Sequence, residues 1–130
     1  MFTLTEVMIV VVIIGLVLAL VGPNLINRFT QAKVRNAKNQ MMLLKESVKT
    51  YYIDMSKYPE TMDNLVTSPG DDKWSGPYLT DGVIPKDPWG NDFVYDKAAA
   101  NGKPGFTCYG ADGQAGGEGE NADIFSWEKK

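Results

Sequence analysis

The sequence contains no histidine and a single cysteine, Cys108. Without imidazole there is no ordinary general base near neutral pH and no nitrogen ligand for zinc or iron. One cysteine excludes an intrachain disulfide and a thiolate-only zinc site. Serine–histidine triads, histidine-ligated metals and disulfide scaffolds are thus ruled out by count. Basic charge is also in deficit: 13 Lys/Arg face 16 Asp/Glu across 130 residues, a net charge of −3, which argues against a nucleic-acid partner. One stretch lacks charge of either sign. Val7–Asn27 carries none, and Val7–Gly22 is almost purely aliphatic.

The average charge conceals an asymmetry. Residues 1–60 hold seven Lys/Arg against four Asp/Glu; residues 61–130 hold six against twelve. A basic, apolar-rooted stalk is followed by an acidic head. A bilayer core needs about 20 apolar residues as a helix, and Val7–Ile26 supplies that length, with Gly15, Gly22, Pro23 and Asn24 as interruptions. A secretory signal peptide fits poorly, because no Lys or Arg precedes the run and Glu6 does. A plain membrane anchor gains nothing from Glu6, since a carboxylate at the edge of a span is costly and normally has a partner. No basic residue lies within two turns of Glu6, so the expected partner is a terminal amine or another subunit. That pattern points to assembly.

Phe2-Thr3-Leu4-Thr5-Glu6, followed by an aliphatic run with a proline near its end, resembles the N-terminus of type IV pilins and type II secretion pseudopilins. The resemblance implies cleavage by a prepilin peptidase just before Phe2 and N-methylation of Phe2. It also implies use of Glu6 in assembly against the terminal amine of a neighbouring subunit. Met1 stands where the family has glycine, after a short basic leader. Arg28, Lys33, Arg35 and Lys38 would by the positive-inside rule face the cytoplasm, whereas the resemblance implies that the C-terminal domain lies outside it.

Beyond the apolar run, Phe29, Ala37, Met41, Leu44, Val48, Tyr51 and Met55 recur at helical spacing, the last six in steps of four and three. This predicts an amphipathic helix with one buried stripe, ending near Ser56 ahead of Tyr58-Pro59. Leu4–Met55 can then be one helix, about 75–80 Å long at roughly 1.5 Å per residue. Pro23 after Gly22 favours a kink or local unwinding. The resemblance implies that Gly15–Pro23 can melt in a filament; alternatively, Gly15 and Gly22 are small residues at helix contacts. The expected organisation is an apolar transmembrane or filament-core helix over 1–27, an amphipathic helix over 28–56, and a globular domain over 57–130.

Residues 57–130 are turn-rich. A short helix is expected at Thr61–Val66, loops at Ser68–Asp72 and Trp74–Leu79, and short strands at Phe93–Tyr95, Gly105–Tyr109 and Ile124–Trp127. A three-stranded antiparallel meander on the helix stripe is the simplest arrangement, making the fold class α+β. Cys108 reads as a buried free thiol, Asp71-Asp72-Lys73 as a solvated turn, and Lys129-Lys130 as an exposed tail.

Gly110–Ile124 holds five of the thirteen glycines with two Asp, two Glu and one Asn. Oxygen donors on a glycine-rich loop suit a hard cation such as Ca2+, although the spacing is not that of an EF-hand. An acidic solvated turn is the other reading. Tyr78-Leu79, the Pro85–Asn91 segment, Gly110-x-Asp112-Gly113 and Ala122-Asp123-Ile124 with Trp127 resemble the major pseudopilins of type II secretion over nearly the whole chain. That resemblance implies a calcium-binding loop here. Its implied side-chain ligands are Asp112 and Asp123, with the backbone carbonyls of Cys108 and Gln114. Asn121, Glu118 or a backbone carbonyl would stand where the family often has a further acid. Pro88, Trp89 and Trp127 are implied to pack.

The reading that follows is a non-enzymatic structural subunit. It would polymerise with copies of itself into a helical filament, the periplasmic pseudopilus, rooted in the inner membrane. Prepilin peptidase, minor pseudopilins and the inner-membrane secretion platform would be its partners, with no nucleic acid among them. The alternative is a major type IV pilin of a surface fibre, which commonly carries a C-terminal disulfide loop that this chain cannot form. A membrane-tethered enzyme has little support.

Overall fold

A computed structural model describes residues 1–127; the tail expected at Lys129-Lys130 lies outside them. One long helix, α1 (Leu4–Met55), is followed by a 3-10 turn at Met62–Leu65 and a second at Thr80–Gly82. Strands β1 (Val94–Ala100) and β2 (Lys103–Cys108) come next, then a 3-10 turn at Gly119–Asn121 and strand β3 (Ile124–Phe125). The chain divides into two compact units, Met1–Ala32 and Lys33–Lys130.

The first unit is apolar helix with nothing over it. Its side chains from Val7 to Leu20 are exposed, Val7 at 48% and Leu20 at 77%, and α1 is helical through Pro23. It is long and apolar enough to cross a membrane, and none of its most apolar stretch is buried. A core helix of a water-soluble fold would be covered by its own chain, so this one needs lipid or other subunits.

In the second unit the predicted stripe is the core. Ala37, Met41, Leu44, Val48, Tyr51 and Met55 are buried against Leu65, Leu79, Phe93, Phe106, Cys108 and Ile124. Phe29, which shares the spacing, is 62% exposed; within this unit the packed face begins at Val34. Ser47 is buried on the same stripe, its hydroxyl donating to the carbonyls of Leu43 and Tyr78. The helix stops at Met55 because Ser56 turns left-handed at φ 57°, its N–H still bonded to the Tyr52 carbonyl, with Pro59 just beyond.

The sheet is the antiparallel meander β1-β2-β3. Tyr95 pairs with Phe106, and Cys108 with Ile124. β1 runs five residues past the Phe93–Tyr95 expectation. Asp96-Lys97 and three alanines carry little strand propensity, but the hairpin turn Asn101-Gly102 takes positive φ at both positions, the geometry that matches strand twist, and so pulls Ala100 into register with Lys103. The expected Thr61–Val66 helix is a single 3-10 turn. Asn64 Oδ1 caps its start by accepting from the N–H groups of Glu60 and Thr61, and the Val66 and Thr67 N–H groups close it on the Asp63 carbonyl. β2 is buried on both faces: Phe106 and Cys108 face the core, and Gly105 lies under Trp127, where a Cβ would come within 2.4 Å of the indole.

Candidate functional site

Two places carry the candidate residues. At the head of α1, Phe2 is 85% exposed. Glu6 is not without a partner in its own chain. The Thr3 N–H donates to Glu6 Oε2 at 2.9 Å, and the Glu6 N–H donates to Thr3 Oγ1 at 3.2 Å. This reciprocal pair is a capping box, in which a threonine and a glutamate three residues on satisfy the free donors of a helix start. The partner expected from another subunit or a terminal amine is thus joined by an intrachain one. The Thr-x-x-Glu spacing is the signal that would have revealed it. The arrangement holds one carboxylate oxygen at the helix start and leaves Oε1 outside that bond.

The second place is the loop between β2 and β3. Asp112 is exposed, and its Oδ1 accepts the Gln114 N–H at 3.1 Å, a turn that fixes the carboxylate direction. Asp123 Oδ2 accepts the Gly116 N–H at 2.9 Å, while Asp123 Oδ1 is buried with no hydrogen-bond partner. Gly110 (φ 75°) lies so close to the far side of the loop that a Cβ would stand 2.6 Å from the Glu120 carbonyl oxygen and 2.9 Å from that of Ala122. The Ala111 N–H donates to the same Glu120 carbonyl. The two ends of the loop are therefore stitched together. Asn121 and Glu118 are exposed, and among the described residues no three acidic or thiol side chains are grouped to hold a metal. Glu118 therefore does not join Asp112 and Asp123. A buried, unpartnered carboxylate oxygen is costly, and a hard cation fed by carboxylates and carbonyls is the chemistry that would satisfy it; the donors present fit Ca2+ in kind.

Beside the loop lies the Asp87–Asn91 turn, part of the Pro85–Asn91 segment that carries the family resemblance. Asp87 is 5% exposed. Its Oδ1 accepts the N–H groups of Trp89 and Asn91 at 3.0 and 2.7 Å, and the Cys108 thiol donates to Oδ2 at 3.3 Å. Burial, then the neighbouring carboxylates of Asp87 and Asp123, push the Cys108 thiol up to about 11 against the opposing effect of a Gly110 backbone hydrogen bond. It is a neutral, packed thiol rather than a reactive thiolate.

An apolar helix head capped by an acid, running on into an amphipathic helix that carries a small meander, defines a pilin-like subunit. The comparisons agree. The profile described as "Type II secretion system (T2SS), protein G" matches residues 24–127. Type II secretion system core protein G of Vibrio cholerae is 41% identical over 132 residues, covering 97% of this chain and 90% of that protein. Its Pseudomonas aeruginosa counterpart is 37% identical, covering 98% and 94%. The crystal structure of the major pseudopilin from the type 2 secretion system of enterohaemorrhagic Escherichia coli shares the fold, with a TM-score of 0.64 at 24% identity over 81% of this chain and 95% of that one. The chain belongs to the type II secretion system protein G family. The relatives named are secretion-system proteins, so the surface-fibre reading is not favoured.

Proposed function

We propose that this protein is the repeating structural subunit of a type II secretion pseudopilus, which supports export of folded proteins. Its role is mechanical rather than catalytic. The observation that carries the reading is the uncovered apolar half of α1 with an acid at its head, on a chain 41% identical to a secretion-system core protein. Before assembly the apolar segment sits in the inner membrane with the head in the periplasm. In the filament, helices of successive copies cover one another. Phe2 is the N-methylated terminus left by a prepilin peptidase, and Glu6 Oε1 receives a neighbour's terminal amine. Minor pseudopilins and the inner-membrane platform are the remaining partners.

Ca2+ is proposed at the β2–β3 loop, with Asp112 and Asp123 as side-chain ligands and the Cys108 and Gln114 carbonyls as further donors; Asn121 or a backbone carbonyl fills a remaining position. The unpartnered Asp123 Oδ1 supports this assignment. When bound, the ion draws the loop's oxygens together and fixes the head surface.

The test of assembly is expression of the chain with the other components of a type II secretion machinery. The wild type is expected in sheared filaments and Glu6→Ala in the membrane fraction. Filaments of normal yield from Glu6→Ala would remove the role of that acid. For the ion, the chain in detergent micelles is expected to melt higher in Ca2+ than in EDTA, and Asp112→Ala and Asp123→Ala are expected to lose that difference.

A further inference from the structure

The turn at Asp87–Asn91 is unusually well bonded for a surface connection. Besides the two N–H groups held by Asp87 Oδ1, the Asp87 N–H donates to the Asn91 carbonyl at 2.9 Å, and the Gly90 N–H donates to the Asp87 carbonyl at 3.0 Å. The backbone of Asn91 is thereby held at both its N–H and its C=O, and the direction of its side chain is set by the turn.

That side chain reaches across to the β2–β3 loop. Asn91 Nδ2 donates to the Gly110 carbonyl at 3.1 Å. The side-chain amide also packs on Gly113 (φ 65°), where a Cβ would meet Asn91 Oδ1 at 3.2 Å. Gly110 and Gly113 are the two ends of the tight turn that carries Asp112, and their own backbone contact, Gly113 N–H to Gly110 C=O, is long at 3.4 Å. One amide group thus touches both ends of the turn. Gly110 also abuts the Glu120 and Ala122 carbonyls, beside Asp123.

We infer that Asn91 is the positioning residue of the cation loop: it holds the Gly110–Gly113 turn and with it the Asp112 that the turn carries. Asn91 need not touch the ion. Its effect passes through the Gly110 carbonyl and the contact with Gly113, in the way that groups behind metal ligands orient them. The inference rests on the calcium reading proposed above. It adds a residue twenty-one positions before Asp112 and thirty-two before Asp123, on a different element, to the determinants of affinity.

The test is calorimetric titration of Ca2+ into the 130-residue chain in detergent micelles, for the wild type, Asn91→Ala and Asn91→Leu. Asn91→Leu keeps the shape and loses the donor to Gly110 without adding charge. Both variants are expected to bind Ca2+ about ten- to a hundredfold more weakly, while their melting temperatures in EDTA stay near that of the wild type. Wild-type affinity in either variant would overturn the inference and leave the calcium reading standing. A fall in melting temperature in EDTA as large as the fall in Ca2+ would also overturn it, by showing a purely structural role. No Ca2+ binding by the wild type would overturn the calcium reading itself, and this inference with it.

Discussion

Thr3 and Glu6 each satisfy the other's backbone: the Glu6 carboxylate takes the Thr3 N–H, and the Thr3 hydroxyl takes the Glu6 N–H. The acid proposed for assembly is therefore already part of the helix start. Capping and charge can be separated by mutation. Thr3→Ala removes the hydroxyl acceptor at a cost of about 1 kcal/mol and is expected to speed amide exchange at Glu6 while leaving the head untouched. Glu6→Gln keeps an oxygen for the Thr3 N–H but has no charge. It is expected to retain slow exchange in the first turn and still fail to form filaments. Filaments from Glu6→Gln would mean that capping, and not charge, is what assembly requires.

Gly110→Ala tests how closely the loop's ends are stitched. The added methyl would stand 2.6 Å from the Glu120 carbonyl oxygen on a backbone at φ 75°, so both steric overlap and left-handed strain act. A loss of about 2–3 kcal/mol is expected, read as a lower melting temperature in Ca2+ and in EDTA alike. Gly119→Ala is the control. It has φ 61° but open space around its Cβ, and should cost only the backbone strain, about 1 kcal/mol.

Tyr78 ties the 68–79 loop to α1. Its hydroxyl donates to Asp54 Oδ2 at 2.8 Å and accepts the Ser75 N–H at 2.9 Å, while its ring meets Tyr51 and Trp74 edge-on. Tyr78→Phe keeps the ring and strands two polar groups that are only partly buried. Chemical denaturation should show a loss of about 1–2 kcal/mol with an unchanged dependence on denaturant. An unchanged midpoint would show that water replaces both bonds freely.

Alkaline pH should weaken the head. Burial raises Cys108 from 9.0 to about 11 and Tyr95 from 10.0 to about 12. Each group holds its proton more tightly folded than unfolded, so the unfolded chain releases protons first. The corresponding stability is fully present below about pH 9 and is lost as pH rises through about 9 to 12. Cys108→Ala is expected to delay the onset of that loss, leaving the later Tyr95 portion. Melting temperature against pH for the two proteins checks the order.

Much of this was legible in the residues, and for identifiable reasons. The Ala37–Met55 stripe follows from a period that only a helix satisfies, and the three strand positions follow from aromatic and β-branched clusters. The 110–124 loop stands out because oxygen donors and glycines crowd one segment, whereas the choice of Asp112 and Asp123 within it rests on the family resemblance. Periodicity and composition do not show the short-range devices: the Asn101-Gly102 turn that lengthens β1, and the Thr3–Glu6 cap.

By itself the sequence determined the class of molecule. A charge-free apolar run headed by an acid must be covered by lipid or by other copies, whatever the head looks like, because no local conformation can hide its area from water. The missing histidine and second cysteine removed most catalytic and disulfide-bonded alternatives by count alone. Tertiary structure decided which polar groups meet. Asp87 and Cys108 are twenty-one positions apart and Asn91 and Gly110 nineteen, and no periodicity encodes such pairs. Packing of the Asp87–Asn91 turn against the end of β2 brings them together, and the same packing places an asparagine behind the acidic loop.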